Sequence, residues 1–122
     1  MQNNFEKLDA WKKARELCLI CYQVALLFPE YERYGLSDQL RRASVSVPSN
    51  IAEGYSRRST KELFHFLSIS IGSIYEIITQ VDIALQLGYI NKEKKMNVDK
   101  TAEEAIKLIN GFIKYKKGKL NE

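Results

Sequence analysis

The sequence is poor in residues that break helices. Two prolines and six glycines in 122 residues are too few for the many tight turns of a β sandwich. Histidine occurs once and cysteine twice, which leaves no four-ligand zinc set. No uninterrupted apolar run is long enough to span a bilayer, since the longest, Leu17–Phe28, already contains Gln23. The opening residues carry Glu6 and Asp9 and lack the basic-then-apolar order of a secretory leader. These absences lead to the expectation of a cytoplasmic, soluble, helical protein with no cofactor, no metal and no membrane partner.

What is present is ordinary globular material. Hydrophobic residues make up 45% and charged residues 28%, so one domain over 1–122 has enough apolar surface for a core without disulfide staples. Charge is unevenly placed. Met1–Tyr55 carries seven Lys/Arg and seven Asp/Glu, whereas Ser56–Glu122 carries twelve and eight, so the whole +4 excess lies in the second half. An acidic partner is permitted by that excess, not required. Cys18 and Cys21 form a C-x-x-C. Redox pairs of this kind gain reactivity at a helix N-terminus. This pair falls deep inside a helical run, so two reduced core thiols are expected.

Hydrophobic periodicity predicts four helices, at about 8–27, 37–53, 60–87 and 91–117. In the first, Trp11, Ala14, Cys18, Tyr22 and Ala25 share a face, and Pro29 ends it. Ser37 is placed as N-cap of the second, whose stripe is Leu36, Leu40, Ala43, Val47 and Ile51. Gly54 suits its left-handed C-terminal end, and Pro48 inside it predicts a bend. Ser59-Thr60-Lys61-Glu62 matches a capping box opening the third helix. Leu63, Leu67, Ile71, Ile74, Ile78, Val81 and Leu85 line that helix, and Gly88 stops it. Asn91 caps the fourth, with Val98, Ala102, Ala105, Ile106, Ile109, Phe112 and Ile113 inward. Gly111 there suggests close contact with another helix, and the terminal KKGKLNE is expected to fray. Short connections make this an all-α, antiparallel up-down-up-down four-helix bundle.

The stretch LSDQLRRASVSVPSNIAEGYSRR (36–58) lacks the clustered glycines of a phosphate-gripping loop. Its serines have no partner histidine nearby, and the lone His65 has no evident orienting carboxylate, so no catalytic residue is assigned. As a helix it places Gln39, Arg42, Ser46, Asn50 and Glu53 on one polar stripe suited to a neighbouring helix. Glu76 is the expected partner of Arg42, because a carboxylate in so apolar a helix needs pairing. Val45 and Ala52 lie away from the second helix's core stripe, and Ile69, Ile83 and Leu87 away from the third's. A monomer hides one face per helix, so these residues mark a subunit interface.

The combination Q-L-R-R-A (39–43), S-N-I-A-E-G (49–54) and G-S-x-x-E (72–76) resembles a bacterial family, the 23S rRNA-intervening sequence proteins. The resemblance runs over residues 8–90, and the fourth helix agrees in pattern only. It implies a four-helix bundle assembled as a homopentameric ring. It also implies that the family's polar positions fall on Gln39, Arg41, Arg42, Asn50, Glu53, Gly54 and Glu76. The family is similar in fold to the accessory protein of diversity-generating retroelements, which binds nucleic acid and a reverse transcriptase. One departure is Ile69-Ser70-Ile71, where many members carry alanine-arginine before the GS pair, which removes a basic residue.

In an up-down bundle the junction of helices two and three lies at the same end as the close of helix four. Arg57, Arg58 and Lys61 would then meet Lys114, Lys116, Lys117 and Lys119, offset mainly by Glu62 and Glu122. Repeated around a ring, they form a basic rim able to attract RNA or DNA phosphates without reading sequence. On the alternative view the same lysines complement a helix dipole and serve solubility. The expectation is a non-enzymatic oligomeric scaffold that binds nucleic acid. The competing one is a protein–protein adaptor ring that recruits a nucleic-acid enzyme with no direct nucleic-acid contact.

Overall fold

A computed structural model describes residues 4–120. It contains a 3-10 turn at Asn4–Lys7, α1 (Asp9–Ala25), a second 3-10 turn at Glu30–Glu32, α2 (Leu36–Tyr55), α3 (Thr60–Gln86) and α4 (Lys92–Leu120). No strand occurs among the described residues. Around the bundle α1 packs on α2 and α4, and α3 packs on the same two. The buried apolar side chains form one cluster, with Leu17, Leu40, Val47, Ile51, Leu67, Ile74, Ile77 and Ile109 among its closed-off members.

The predicted inner face of α1 is corrected. Its buried residues are Ala10, Ala14, Leu17, Cys21, Val24 and Ala25, while Trp11 and Cys18 are half-buried and Tyr22 is exposed. Leu17–Phe28 offers apolar residues on every side of the helix, so periodicity alone does not choose a face. Trp11 instead borders the core, edge-on to Phe5 at 5.3 Å. Only Cys21 is a core thiol, and burial pushes it up to about 12. The Cys18 sulfur lies 3.6 Å from the Ser44 hydroxyl.

Ser37 is not the N-cap of α2. The helix begins one residue earlier, at Leu36, whose amide donates to Glu32 Oε1 at 3.0 Å. Glu32 also accepts from the Tyr89 hydroxyl at 2.8 Å. With Phe28 against Tyr89 at 5.6 Å between centroids, this closes the Glu30–Glu32 turn onto the connection between α3 and α4. Nor is Gly54 a left-handed cap, since the glycine with positive φ is Gly88, at 79°, just past α3. Gly54 lies within α2, buried where α3 crosses closely. Helix α2 continues through Pro48.

The other two caps are as expected. Ser59 Oγ accepts from the Glu62 amide at 3.1 Å, and Asn91 Oδ1 from the Lys94 amide at 2.9 Å. In α3 the buried face is broader than its apolar stripe and includes Ser70, Ser73, Gln80 and Ala84. By length and composition α3 is also long and apolar enough to cross a membrane; nine of its residues are buried within the bundle. Helix α4 extends to Leu120, and the last two residues of the tail expected to fray lie outside the described residues. Gly111 is exposed and touches no other helix, contrary to expectation.

Candidate functional site

The basic segments after α2 and at the end of α4 do meet. Arg57, Arg58 and Lys116 line one cleft of about 270 Å³ with Tyr55, Ser59, Thr60 and Leu63. Beneath it the Tyr55 and Phe112 rings stack at 6.4 Å, which ties the last turn of α2 to α4. Lys117 sits over the Phe64 ring at 5.8 Å, bringing a further cation to the first turns of α3, where Lys61 is exposed. Lys114 and Lys119 are placed differently. They flank Tyr115 in a shallow recess between Gly111 and Gly118 on α4 itself. The candidate rim is therefore a cleft with an extension along α4. Glu122, expected to offset it, lies outside the described residues.

Arg57 is already partnered. It is ion-paired with Glu53, one helical turn before it, and its guanidinium lies 5.0 Å from the Phe66 ring centre. Among the described residues Arg58 carries no such restraint, so it is the freer arginine of the cleft. Stacking of Lys116 over Phe112 at 5.7 Å holds that ammonium against the wall.

The polar stripe of α2 divides into local and inter-helix bonds. Ser46 and Ser73 share a hydrogen bond of 2.8 Å across α2 and α3. Asn50 donates back to the Ser46 carbonyl at 2.8 Å and to its hydroxyl at 2.9 Å. Ser70 donates to the Val47 carbonyl at 2.8 Å. The predicted Arg42–Glu76 pair is not formed. Arg42 instead donates to Asp38 at 2.8 Å, because a carboxylate one turn back on the same helix is closer. Arg41 donates to the Arg33 carbonyl at 3.1 Å. Gln39, Arg42, Ser46, Ser73, Glu76 and Gln80 nevertheless line one groove between α2 and α3, of about 270 Å³. Gln80 is only 8% exposed, and its Oε1 has no hydrogen-bond donor.

Of the residues read as an outer apolar face, Val45, Ile69, Ile83 and Leu87 are exposed, and Ala52 is half-buried. Sequence reasoning missed two more on α1. Leu19 and Tyr22 are 59% and 42% exposed, and Tyr22 shares a recess with Val45 and Arg42. Their signal was the second apolar stripe of α1; Tyr22 was assigned inward and Leu19 to no face. His65 is exposed and edge-on to Phe66 at 5.6 Å. Among the described residues no three His, Cys, Asp or Glu side chains gather as a metal site.

No curated protein matches the sequence. Among solved structures, a protein of unknown function from the S23 ribosomal protein family of Bacteroides thetaiotaomicron superposes with a TM-score of 0.79. That match is 21% identical and covers 86% of this chain and 98% of the other. At that identity it speaks for the fold. The family model of the 23S rRNA-intervening sequence proteins matches residues 6–111, which takes in all of α1 to α3 and most of α4. The chain belongs to the 23S rRNA-intervening sequence protein family.

Proposed function

We propose that this chain is a non-enzymatic scaffold, an antiparallel up-down-up-down bundle that assembles with copies of itself and binds RNA or DNA without sequence preference. Five copies in a ring is the number the family resemblance implies. The observation that carries the nucleic-acid reading is the cleft where Arg57, Arg58 and Lys116 converge beside Tyr55, with Lys117 next to it. Cations at the mouth of a cleft attract phosphates whatever the base sequence. An exposed tyrosine such as Tyr115 adds a surface on which a base stacks. Assembly multiplies a single weak cleft into several on one particle, which raises avidity without new contacts. The exposed apolar residues of α1, α2 and α3 support the self-association.

A second reading has its own observation. Arg57 is neutralised by Glu53, which lowers the free charge of the cleft and favours an adaptor ring that recruits an enzyme. Titrating labelled single-stranded RNA of mixed sequence over a range of salt concentrations decides between them. Binding should weaken linearly in log–log form, with a slope of about −0.7 per phosphate neutralised. The triple variant Arg58→Glu, Lys116→Glu, Lys117→Glu should flatten that slope by about 2. Unchanged affinity in the triple variant overturns the rim, and no binding by the wild type at low salt favours the adaptor.

A further inference from the structure

We propose that the groove between α2 and α3 receives the outer stripe of α1 from a second copy of this chain, with Arg15 of one copy on Glu76 of the next. The proposal rests on the self-association above and assigns it two faces. The first is the outer side of α1 and the residue that ends it, where Arg15, Leu19, Tyr22 and the C-cap Leu26 follow at steps of four, three and four. Leu19, Tyr22 and Leu26 are all exposed. Arg15 is exposed too, its guanidinium over the Trp11 ring at 4.8 Å, and it makes no ion pair among the described residues. The second face is the groove itself. Glu76 lines it and makes no ion pair among the described residues, the Arg42 of the same groove being paired with Asp38.

Ile69 and Ile83 stand seven residues before and after Glu76, or roughly 10 Å along the axis at the rise of an α-helix. Both are exposed. Arg15 and Tyr22 are also seven apart. An arginine docked on Glu76 therefore sets Tyr22 at the level of one of the two isoleucines. The buried Gln80 amide, one turn from Glu76, has an oxygen without a donor. A guanidinium carries five donors in a fork, enough to grip the carboxylate and serve that amide as it turns outward.

Charge favours this arrangement over face-to-same-face pairing. The chain carries a net +4, so copies repel unless acid on one meets base on the other. An apolar stripe headed by a base, and a polar groove that carries an acid and has an exposed isoleucine seven residues to either side of it, satisfy that condition. Because the faces differ, the contact is head-to-tail and propagates to a closed ring or a filament.

Sedimentation at micromolar concentration tests it, with circular dichroism confirming that each variant stays helical. The wild type should be a multimer. Glu76→Arg and Arg15→Glu should each shift the dissociation concentration upward by about tenfold or more, and Leu19→Asp should do the same through the apolar contact. The double variant Arg15→Glu, Glu76→Arg should recover the wild-type size. A monomeric wild type overturns the self-association itself. A multimeric wild type whose single variants keep their size, or whose double variant is not restored, overturns the two-face assignment and leaves assembly standing.

Discussion

The two seams of the bundle close by different means. Between α2 and α3 the contact is made by small and polar groups. A Cβ placed on Gly54 would lie 2.9 Å from the Cβ of Phe66 and 3.2 Å from the Leu63 carbonyl. Ser70 reaches the Val47 carbonyl, and Ser46 meets Ser73. Where α4 joins α1, α4 buries Val98, Thr101, Ala102, Ala105 and Ile109 in the core it shares with α1 and α3, and α1 buries alanines, Leu17, Cys21 and Val24. The cross-link there is a surface ion pair, Lys13–Glu104 at 3.0 Å. Hydrogen bonds with narrow geometric tolerance fix the register of the first seam, whereas aliphatic packing tolerates small shifts in the second. The groove proposed to take a second copy opens on the α2–α3 seam, where register matters.

Breaking the first seam should have the largest effect. Gly54→Leu forces a branched side chain against the Cβ of Phe66 and the Leu63 main chain, neither of which is the far end of a flexible group. Overpacking of this kind costs about 3 kcal/mol, read as a lower urea midpoint. A loss under about 0.5 kcal/mol, within the range of an ordinary surface change, would show that the helices separate at little cost. Ser70→Ala should lose about 1 kcal/mol by removing one buried hydrogen bond. A neutral result would mean that the serine fills space without anchoring register. Gly111→Ala, on the exposed side of α4 with nothing within 4 Å, should move stability the other way, by about 0.5–1 kcal/mol. Two glycines inside helices thus respond with opposite sign, one held by contact and the other costing only propensity.

That contrast also marks how far the sequence was legible. Helix number, the Ser59 and Asn91 caps, and the Gly88 stop followed from short-range chemistry, and each is satisfied by atoms within a few residues. Gly54 did not, because a close approach by another helix leaves no trace in the residues beside it. Ser37 was placed as the cap because serine is a favoured N-cap residue and follows the turn at Gly35. The carboxylate that meets the Leu36 amide comes from Glu32, inside a 3-10 turn with no apolar pattern to announce it. The meeting of Arg57, Arg58 and Lys116 was foreseeable from helix order alone. The capture of Arg57 by Glu53, and of Arg42 by Asp38, was available as i,i+4 spacing and was passed over, Arg42 for Glu76 and Arg57 for a free place in the rim. On α1, two apolar stripes made the inner face ambiguous, and the one assigned to the core includes Tyr22, now a candidate for the interface.

The smallest effect belongs to the second seam and depends on pH. The hydrogen bond from Lys13 holds the Glu104 carboxyl below the usual carboxylate range, with Lys100 and Lys107 adding to the pull. Lys13 is in turn raised, first by Glu16 and then by Glu104. For a carboxyl whose folded value is depressed, the stabilisation is present above its unfolded value and is lost as pH falls through the folded one. For the raised lysine it is present below the ordinary ammonium value and disappears as pH climbs through the raised one. Glu104→Gln should therefore be slightly less stable than the wild type near neutrality and equal to it well below the carboxylate range. Because both side chains are partly exposed, added salt should shrink the neutral-pH difference. Ser70→Ala, measured beside it, should show a deficit that neither acid nor salt removes, since no ionised group takes part. If the Glu104→Gln deficit persisted in acid, where Glu104 is itself uncharged, the ion pair would not be its source, and the two seams would be more alike than their polar contacts suggest.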